Sequence, residues 1–327
     1  MDMPTLTAAF WRYDRTQPLI DGRISPEGFR LDCSVLRPEQ AFALAFGEAP
    51  FDITEISLSN TISALSQGPI PYVLIPVFPS RTFRHGAIFV RADRGISTPA
   101  DLAGKRIGLQ EYDMTAAVVL RGVLRDDYGL DTNSVQWCVG DSVRTKSLEF
   151  PLPTKPAGLH MNILTEGKSL EERLLSGEID ALISLREPAA LHSANPQVVR
   201  LFSDPQATER DWFRRTGLFP IMHAIAVKKS KVQRYPELLH SLYRAFCSAK
   251  NYAIEELGVI QAPKITLPWV SAELRKTRML MGEDYWPYGI AANRKVLETQ
   301  LRWSREDGLQ ERDVRLEDLF SPCLLDT

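Results

Sequence analysis

Arg81, Arg84 and His85 fall within five residues of one another, between two short apolar runs at 73–78 and 87–90. Both runs are β-branched and too short for helices, so they predict strands. A compact cationic loop at strand ends is where an open α/β sheet receives an anionic ligand. Arginine offers a fork of donors matched to a carboxylate, and histidine exchanges a proton near neutral pH. The chemistry indicated is carboxylate capture joined to proton transfer. Solvated surface would explain one such arginine. Three groups between predicted buried strands favour a site.

Other residues could share that work. Glu55 ends a strand predicted over 51–56, and Ser57, Ser59 and Asn60 open the next helix. Capping suffices for Ser59 or Asn60, whereas Glu55, with Ser57 beside it, is expected to face ligand. The run Glu111-Tyr-Asp-Met-Thr115 precedes a helix whose first N–H groups suit a carboxylate. Asp113 as N-cap with Thr115 in the first turn accounts for the same residues structurally. Arg186 closes a predicted strand at 181–184 and is a second candidate clamp. His223, close to Pro220, is either a satisfied structural group or a proton carrier. The turn Asp284-Tyr-Trp-Pro-Tyr-Gly-Ile290 offers Trp286, expected to pack, and Tyr288, placed to stack on an aromatic ligand. Gly167-Lys-Ser169 lacks the earlier glycine of a phosphate-binding loop, since position 162 is Asn. A helix cap explains it better.

The elements that must carry these residues alternate strand and helix. Strands are predicted at 6–10, 51–56 and either side of the Arg/His loop, with helices at 38–46 and 59–65, the rhythm of a sheet covered by helices. After residue 92 a second α/β set begins, with a cap at 98–101 and a strand at 106–109. A helix follows on Ala116, Val119, Leu120, Val123 and Leu124, then a capping box at Ser169 and a helix stop at Gly177. The strand at 222–227, a long helix through Leu239, Leu242 and Phe246, and helices at 271–281 and 290–306 return to the first lobe. The expectation is an α/β fold of two lobes, 1–92 with 223–327 and 93–222, with two hinge crossings and a ligand cleft between lobes. The stretch 151–156 is Pro-rich and reads as a loop.

At 327 residues the chain suits two lobes. With 44% hydrophobic and 24% charged residues it reads as globular. A net charge of −2 gives no reason to expect nucleic acid. Cys33, Cys138, Cys247 and Cys323 are scattered without metal-ligand spacing. No run approaches the roughly 18 apolar residues of a membrane span. The first ten residues lack a basic, then apolar, leader pattern, so a cytoplasmic location is expected.

Several blocks together resemble the 4,5-dihydroxyphthalate decarboxylase family. They are Phe51-Asp-Ile-Thr-Glu-Ile-Ser-Leu-Ser59, Pro76-Val-Phe-Pro-Ser-Arg81 with Phe83-Arg-His85, Glu111-Tyr-Asp-Met-Thr-Ala116, Pro220-Ile-Met-His223, and Trp286-Pro-Tyr-Gly-Ile290 with Asn293. They recur in family order across nearly the whole chain. The resemblance implies a type II periplasmic-binding-protein-like fold and a decarboxylase of hydroxylated aromatic carboxylates, giving protocatechuate and CO2 if the substrate is 4,5-dihydroxyphthalate. Each carboxylate of that molecule is para to a hydroxyl. Loss of a phenolic proton drives electron density onto the carboxylated carbon, which is protonated before the C–C bond breaks. The expected roles are His85 as acid, Glu55 or His223 on the phenol, and Arg81 and Arg84 on the retained carboxylate, helped by Thr115.

That chemistry requires no organic cofactor. A metal is not expected, although a divalent ion is left open. The expected partner is a small aromatic carboxylate, with no nucleic acid or membrane, and a homo-oligomer is left open. The alternatives are a non-catalytic solute-binding protein for an aromatic acid, or another lyase on the same fold.

Overall fold

A computed structural model describes residues 3–140, 159–164, 167–193 and 196–327. The Pro-rich stretch 151–156 lies outside them. Among the described residues the strands run β1 (Thr5–Phe10), β2 (Arg30–Val35), β3 (Ile53–Ser57), β4 (Tyr72–Arg81), β5 (Ile88–Arg91), β6 (Arg106–Leu109), β7 (Gln136–Val139), β8 (Met161–Ile163), β9 (Ala181–Ile183), β10 (Val198–Arg200) and β11 (Ile221–Lys228). They form two sheets, ordered β2-β1-β3-β11-β4 and β10-β5-β9-β6-β7-β8.

The chain divides into two compact units. Unit 1 comprises Met1–Arg81, Ile221–Leu297 and Arg315–Thr327; unit 2 comprises Thr82–Pro220 and Glu298–Val314. The boundary expected after residue 92 therefore falls after Arg81. Its cause is β5, which pairs antiparallel with β9 and β10 and so belongs to the second sheet. The return comes at Ile221, two residues earlier than expected. Glu298–Val314 also joins unit 2, making four passages between units where two were expected.

In unit 1, β1 runs parallel to β2 and β3, while β11 runs antiparallel to β3 and β4. All five residues of β3 are buried, because it lies inside the sheet. Helix Leu238–Leu257 buries Leu239, Leu242 and Phe246, the last meeting Phe10 edge-on at 5.7 Å. Between His223↔Ser80 and Ile225↔Ile75, β4 carries extra residues against β11, a bulge over Pro76 to Pro79. Proline lacks the ladder N–H and is tolerated in a sheet at such a bulge. The Pro-Val-Phe-Pro run thus sets the irregularity that frees carbonyls at 76–79.

In unit 2, helix Thr115–Tyr128 buries ten of its residues, Arg121 among them. Arg121 is fully buried, 2.7 Å from Asp307, and donates through Nη2 to the Tyr112 carbonyl at 2.8 Å. Its guanidinium lies 3.7 Å from the Tyr112 ring centroid. This clamp fixes Glu298–Val314 within the unit. Met114, not the expected Asp113, is the N-cap of helix Thr115–Tyr128; likewise Ser57, not Ser59 or Asn60, caps helix Leu58–Gln67. The last long helix starts at Arg294 rather than at residue 290, because Ala291–Asn293 forms a 3-10 segment ahead of it. Ser169 does cap helix Leu170–Ser176, as expected.

Candidate functional site

The expected residues divide between the units. Glu55, Ser57, Arg81, His223 and Tyr288 lie in unit 1; Arg84, His85, Glu111, Thr115 and Arg186 lie in unit 2. The Arg81–His85 loop is thereby split at its first residue.

Unit 1 brings Glu55 and His223 together. His223 pairs with Ser57 and Ile225 with Glu55 on the β3–β11 ladder, so the two side chains are diagonal neighbours on one face. His223 Nδ1 lies 2.6 Å from Glu55 Oε1. The Tyr13 hydroxyl donates to the same oxygen at 2.8 Å, and the Trp11 N–H donates to Oε2 at 3.0 Å. Phe42 packs edge-on against the imidazole at 4.8 Å. Glu55 is fully buried, while 17% of the His223 side chain remains exposed. Burial opposes ionisation of Glu55. The His223 hydrogen bond and charge, with the Trp11 and Tyr13 donors, outweigh it and hold the carboxyl below its ordinary range. Burial and the neighbouring carboxylate push the Tyr13 phenol up, so it stays protonated and donating. An ionised Glu55 only accepts, so His223 Nδ1 is the donor of that bond and Nε2 is the nitrogen turned away from the carboxylate.

The turn bearing Tyr13 is set by Thr16. Its hydroxyl donates to the Trp11 carbonyl at 2.8 Å and accepts from the Tyr13 N–H at 2.9 Å. Two residues on, Arg15 lies over two rings, 4.2 Å from the Tyr13 centroid and 4.3 Å from that of Trp286. The β4 bulge receives both sides of this stack. Arg15 Nε donates to the Pro79 carbonyl at 2.6 Å, Trp286 Nε1 to Phe78 at 2.9 Å, and the Gly289 N–H to Pro76 at 2.8 Å. Tyr13 and Arg15 were not singled out from sequence, although Trp11-Arg-Tyr-Asp-Arg15 alternates ring and charge directly after a strand.

Arg81 sits differently from its expected role. It is 5% exposed, and its Nη1 donates to Asn293 Oδ1 at 2.7 Å and the Pro287 carbonyl at 3.1 Å. Burial pushes its pKa down to about 9. Arg81 braces the aromatic turn. Tyr288 on that turn is buried, and its hydroxyl makes no hydrogen bond among the described residues.

In unit 2, Arg84 and Arg186 line a cavity of ≈170 Å³, together with Ser184, Glu187, Arg200 and Glu209. Arg200 pairs with Glu187 and donates to the Gly86 carbonyl. Burial lowers Arg84 to about 10, with Glu209 opposing. His85 is 1% exposed, edge-on to Phe202 at 5.2 Å and Trp212 at 5.5 Å. Glu209 Oε1 stays 3.9 Å from its Nδ1, and neither ring nitrogen has a hydrogen-bond partner among the described residues. Burial pushes His85 down to about 4, so the group expected to donate the proton is uncharged at neutral pH. Thr115 opens helix Thr115–Tyr128 and is buried; Glu111 precedes it. Among the described residues no His, Cys, Asp and Glu cluster could hold a metal, and no helix is long and apolar enough to cross a membrane.

Known proteins resemble the chain at two levels, fold and sequence. Residues 80–148 fit the family model described as NMT1/THI5 like. Among solved structures, the periplasmic aliphatic sulphonate binding protein SsuA from Escherichia coli superposes with a TM-score of 0.53 at 14% identity, over 98% of this chain and 92% of that one. That likeness is one of fold. A 4,5-dihydroxyphthalate decarboxylase of Comamonas testosteroni is 40% identical over 325 residues, 98% of each chain. A second, from Pseudomonas putida, is 40% identical over 214 residues, 65% of this chain and 83% of that protein. The chain belongs to the 4,5-dihydroxyphthalate decarboxylase family, carboxy-lyases on a periplasmic-binding-protein-like fold.

Proposed function

We propose that the protein converts 4,5-dihydroxyphthalate to protocatechuate and CO2 by protonating the ring, without an organic cofactor. The observation that carries this reading is the His223–Glu55 contact of 2.6 Å, with Nε2 making no hydrogen bond among the described residues. An imidazole oriented by a buried carboxylate is a proton carrier with a fixed tautomer.

His223 Nε2 takes the phenolic proton para to the departing carboxylate. Electron density from the phenolate moves through the ring, and the imidazolium returns the proton to the carboxylated carbon. The C–C bond then breaks, its electron pair restores the aromatic phenolate, and the carboxylate leaves as neutral CO2. The phenolate takes one proton from solvent. The substrate's own hydroxyl serves as electron sink, so no cofactor is called on. Glu55 orients the imidazole and balances its charge, and Tyr13 steadies Glu55. This assignment gives the proton to His223 in place of His85, whose ring is uncharged at neutral pH.

The test is product analysis. Incubation with 4,5-dihydroxyphthalate should release CO2 and protocatechuate in equal amounts. A rise in melting temperature with that compound and no product would favour a non-catalytic binding protein.

A further inference from the structure

Arg15 was given no role by the sequence, and the proton-transfer scheme does not use it. Its position is nonetheless over-determined. The guanidinium carbon lies over both the Tyr13 and the Trp286 ring, Nε is spent on the Pro79 carbonyl, and Nη1 meets Asp14 Oδ1 at 2.9 Å. Asp14 is itself 43% exposed, and the Arg15 side chain 16%. Nη2 makes no hydrogen bond among the described residues. A planar carboxylate meets a guanidinium through its in-plane N–H groups, and contact with the rings does not use them up. Stacking also removes the rotamer freedom that binding would otherwise have to freeze.

The same Tyr13 that carries Arg15 on its ring donates its hydroxyl to Glu55. One short turn therefore fixes a cation and the carboxylate that orients His223. Arg81, the expected clamp, is committed to Asn293 and Pro287. Resting on the decarboxylase reading for the substrate class, we infer that Arg15 binds the carboxylate that stays on the aromatic ring. A cation there holds the ring while the other carboxylate departs as neutral CO2, which a cation at that second position would oppose.

Phthalate, which has both carboxylates and no hydroxyl, and catechol, which has neither carboxylate, separate this role from the chemistry. Binding of each is measured by calorimetry for wild type, Arg15→Gln and Arg15→Lys. Arg15→Gln is expected to weaken phthalate about ten- to a hundredfold, the loss of one charge-assisted hydrogen bond. Arg15→Lys falls between, and catechol stays within about twofold in both variants. Unchanged phthalate affinity in Arg15→Gln overturns the inference, as does a wild type that takes up no phthalate. Equal losses for catechol and phthalate overturn it too, because Arg15 is then only a structural strut. Wild-type turnover is read separately: Arg15-dependent phthalate binding without CO2 release from 4,5-dihydroxyphthalate would count against the decarboxylase reading alone.

Discussion

Replacing Glu55 by Gln removes one negative charge and little volume from the centre of the unit 1 site. The carboxylate accepts three hydrogen bonds, from His223 at 2.6 Å, Tyr13 at 2.8 Å and the Trp11 N–H at 3.0 Å. A carboxamide has one acceptor oxygen. If that oxygen serves Tyr13 and His223, the amide NH2 opposes the Trp11 N–H and leaves a buried donor unpaired. The stability cost is then about 1–3 kcal/mol. The imidazole also loses the charge that balances it when protonated, so kcat should fall by about 10²–10⁴-fold, the usual scale of a general acid–base group. The pH dependence has a definite sign. Glu55 titrates lower folded than unfolded, so its stabilisation is fully present above about pH 4.3 and is lost as pH falls through the folded value. Glu55→Gln lacks that increment at every pH. Urea unfolding at pH 7 and in acid gives the stability, and CO2 release gives the rate. A folded Glu55→Gln protein with kcat within about threefold of wild type would refute the role given to Glu55.

Two further outcomes follow from buried groups in unit 2. His85 titrates at about 4 when folded against an ordinary 6.5, so the unfolded chain takes up the proton first as pH falls. Stability should drop by roughly 3 kcal/mol between about pH 6.5 and 4 on account of this group, and His85→Gln should show a drop smaller by that amount in urea titrations at both pH values; equal drops contradict it. Arg121→Met leaves Asp307 buried without its closest partner and should cost about 3–5 kcal/mol. Adding Asp307→Leu should recover part of that loss, and a single-variant loss below about 1 kcal/mol would show that the pair does not clamp Glu298–Val314.

Local signals carried much of the fold into the sequence. Helix Pro38–Phe46, strand Arg106–Leu109 and the Ser169 cap lie where periodicity and capping chemistry put them. Strand β2 was missed although Leu31, Cys33 and Val35 alternate with Arg30, Asp32 and Ser34; as an edge strand it is short and buries none of them fully, so the alternation is the only signal. Glu55 and His223 were each visible as candidates, but their pairing joins residues 168 apart and depends on strand register. Nothing local announces that. Arg81 and Arg84 looked equivalent in sequence, yet the chain changes unit between them, and the carbonyl of Pro287 with Asn293 claims Arg81. Tyr13 and Arg15 gain meaning only when the β4 bulge turns its carbonyls toward Arg15 and Trp286. The family was legible from blocks spread along the chain, and relatives at 40% identity bear that family out.

The central claim is that one histidine, held by Glu55, moves the proton that releases CO2. Its most direct test compares His223→Gln with His85→Gln, each shown to be folded, for CO2 and protocatechuate formed from 4,5-dihydroxyphthalate at saturating substrate. His223→Gln is expected to lose about 10²–10⁴ in kcat while His85→Gln stays within about tenfold of wild type. Near-normal turnover by His223→Gln, with the rate instead lost in His85→Gln, would contradict the account.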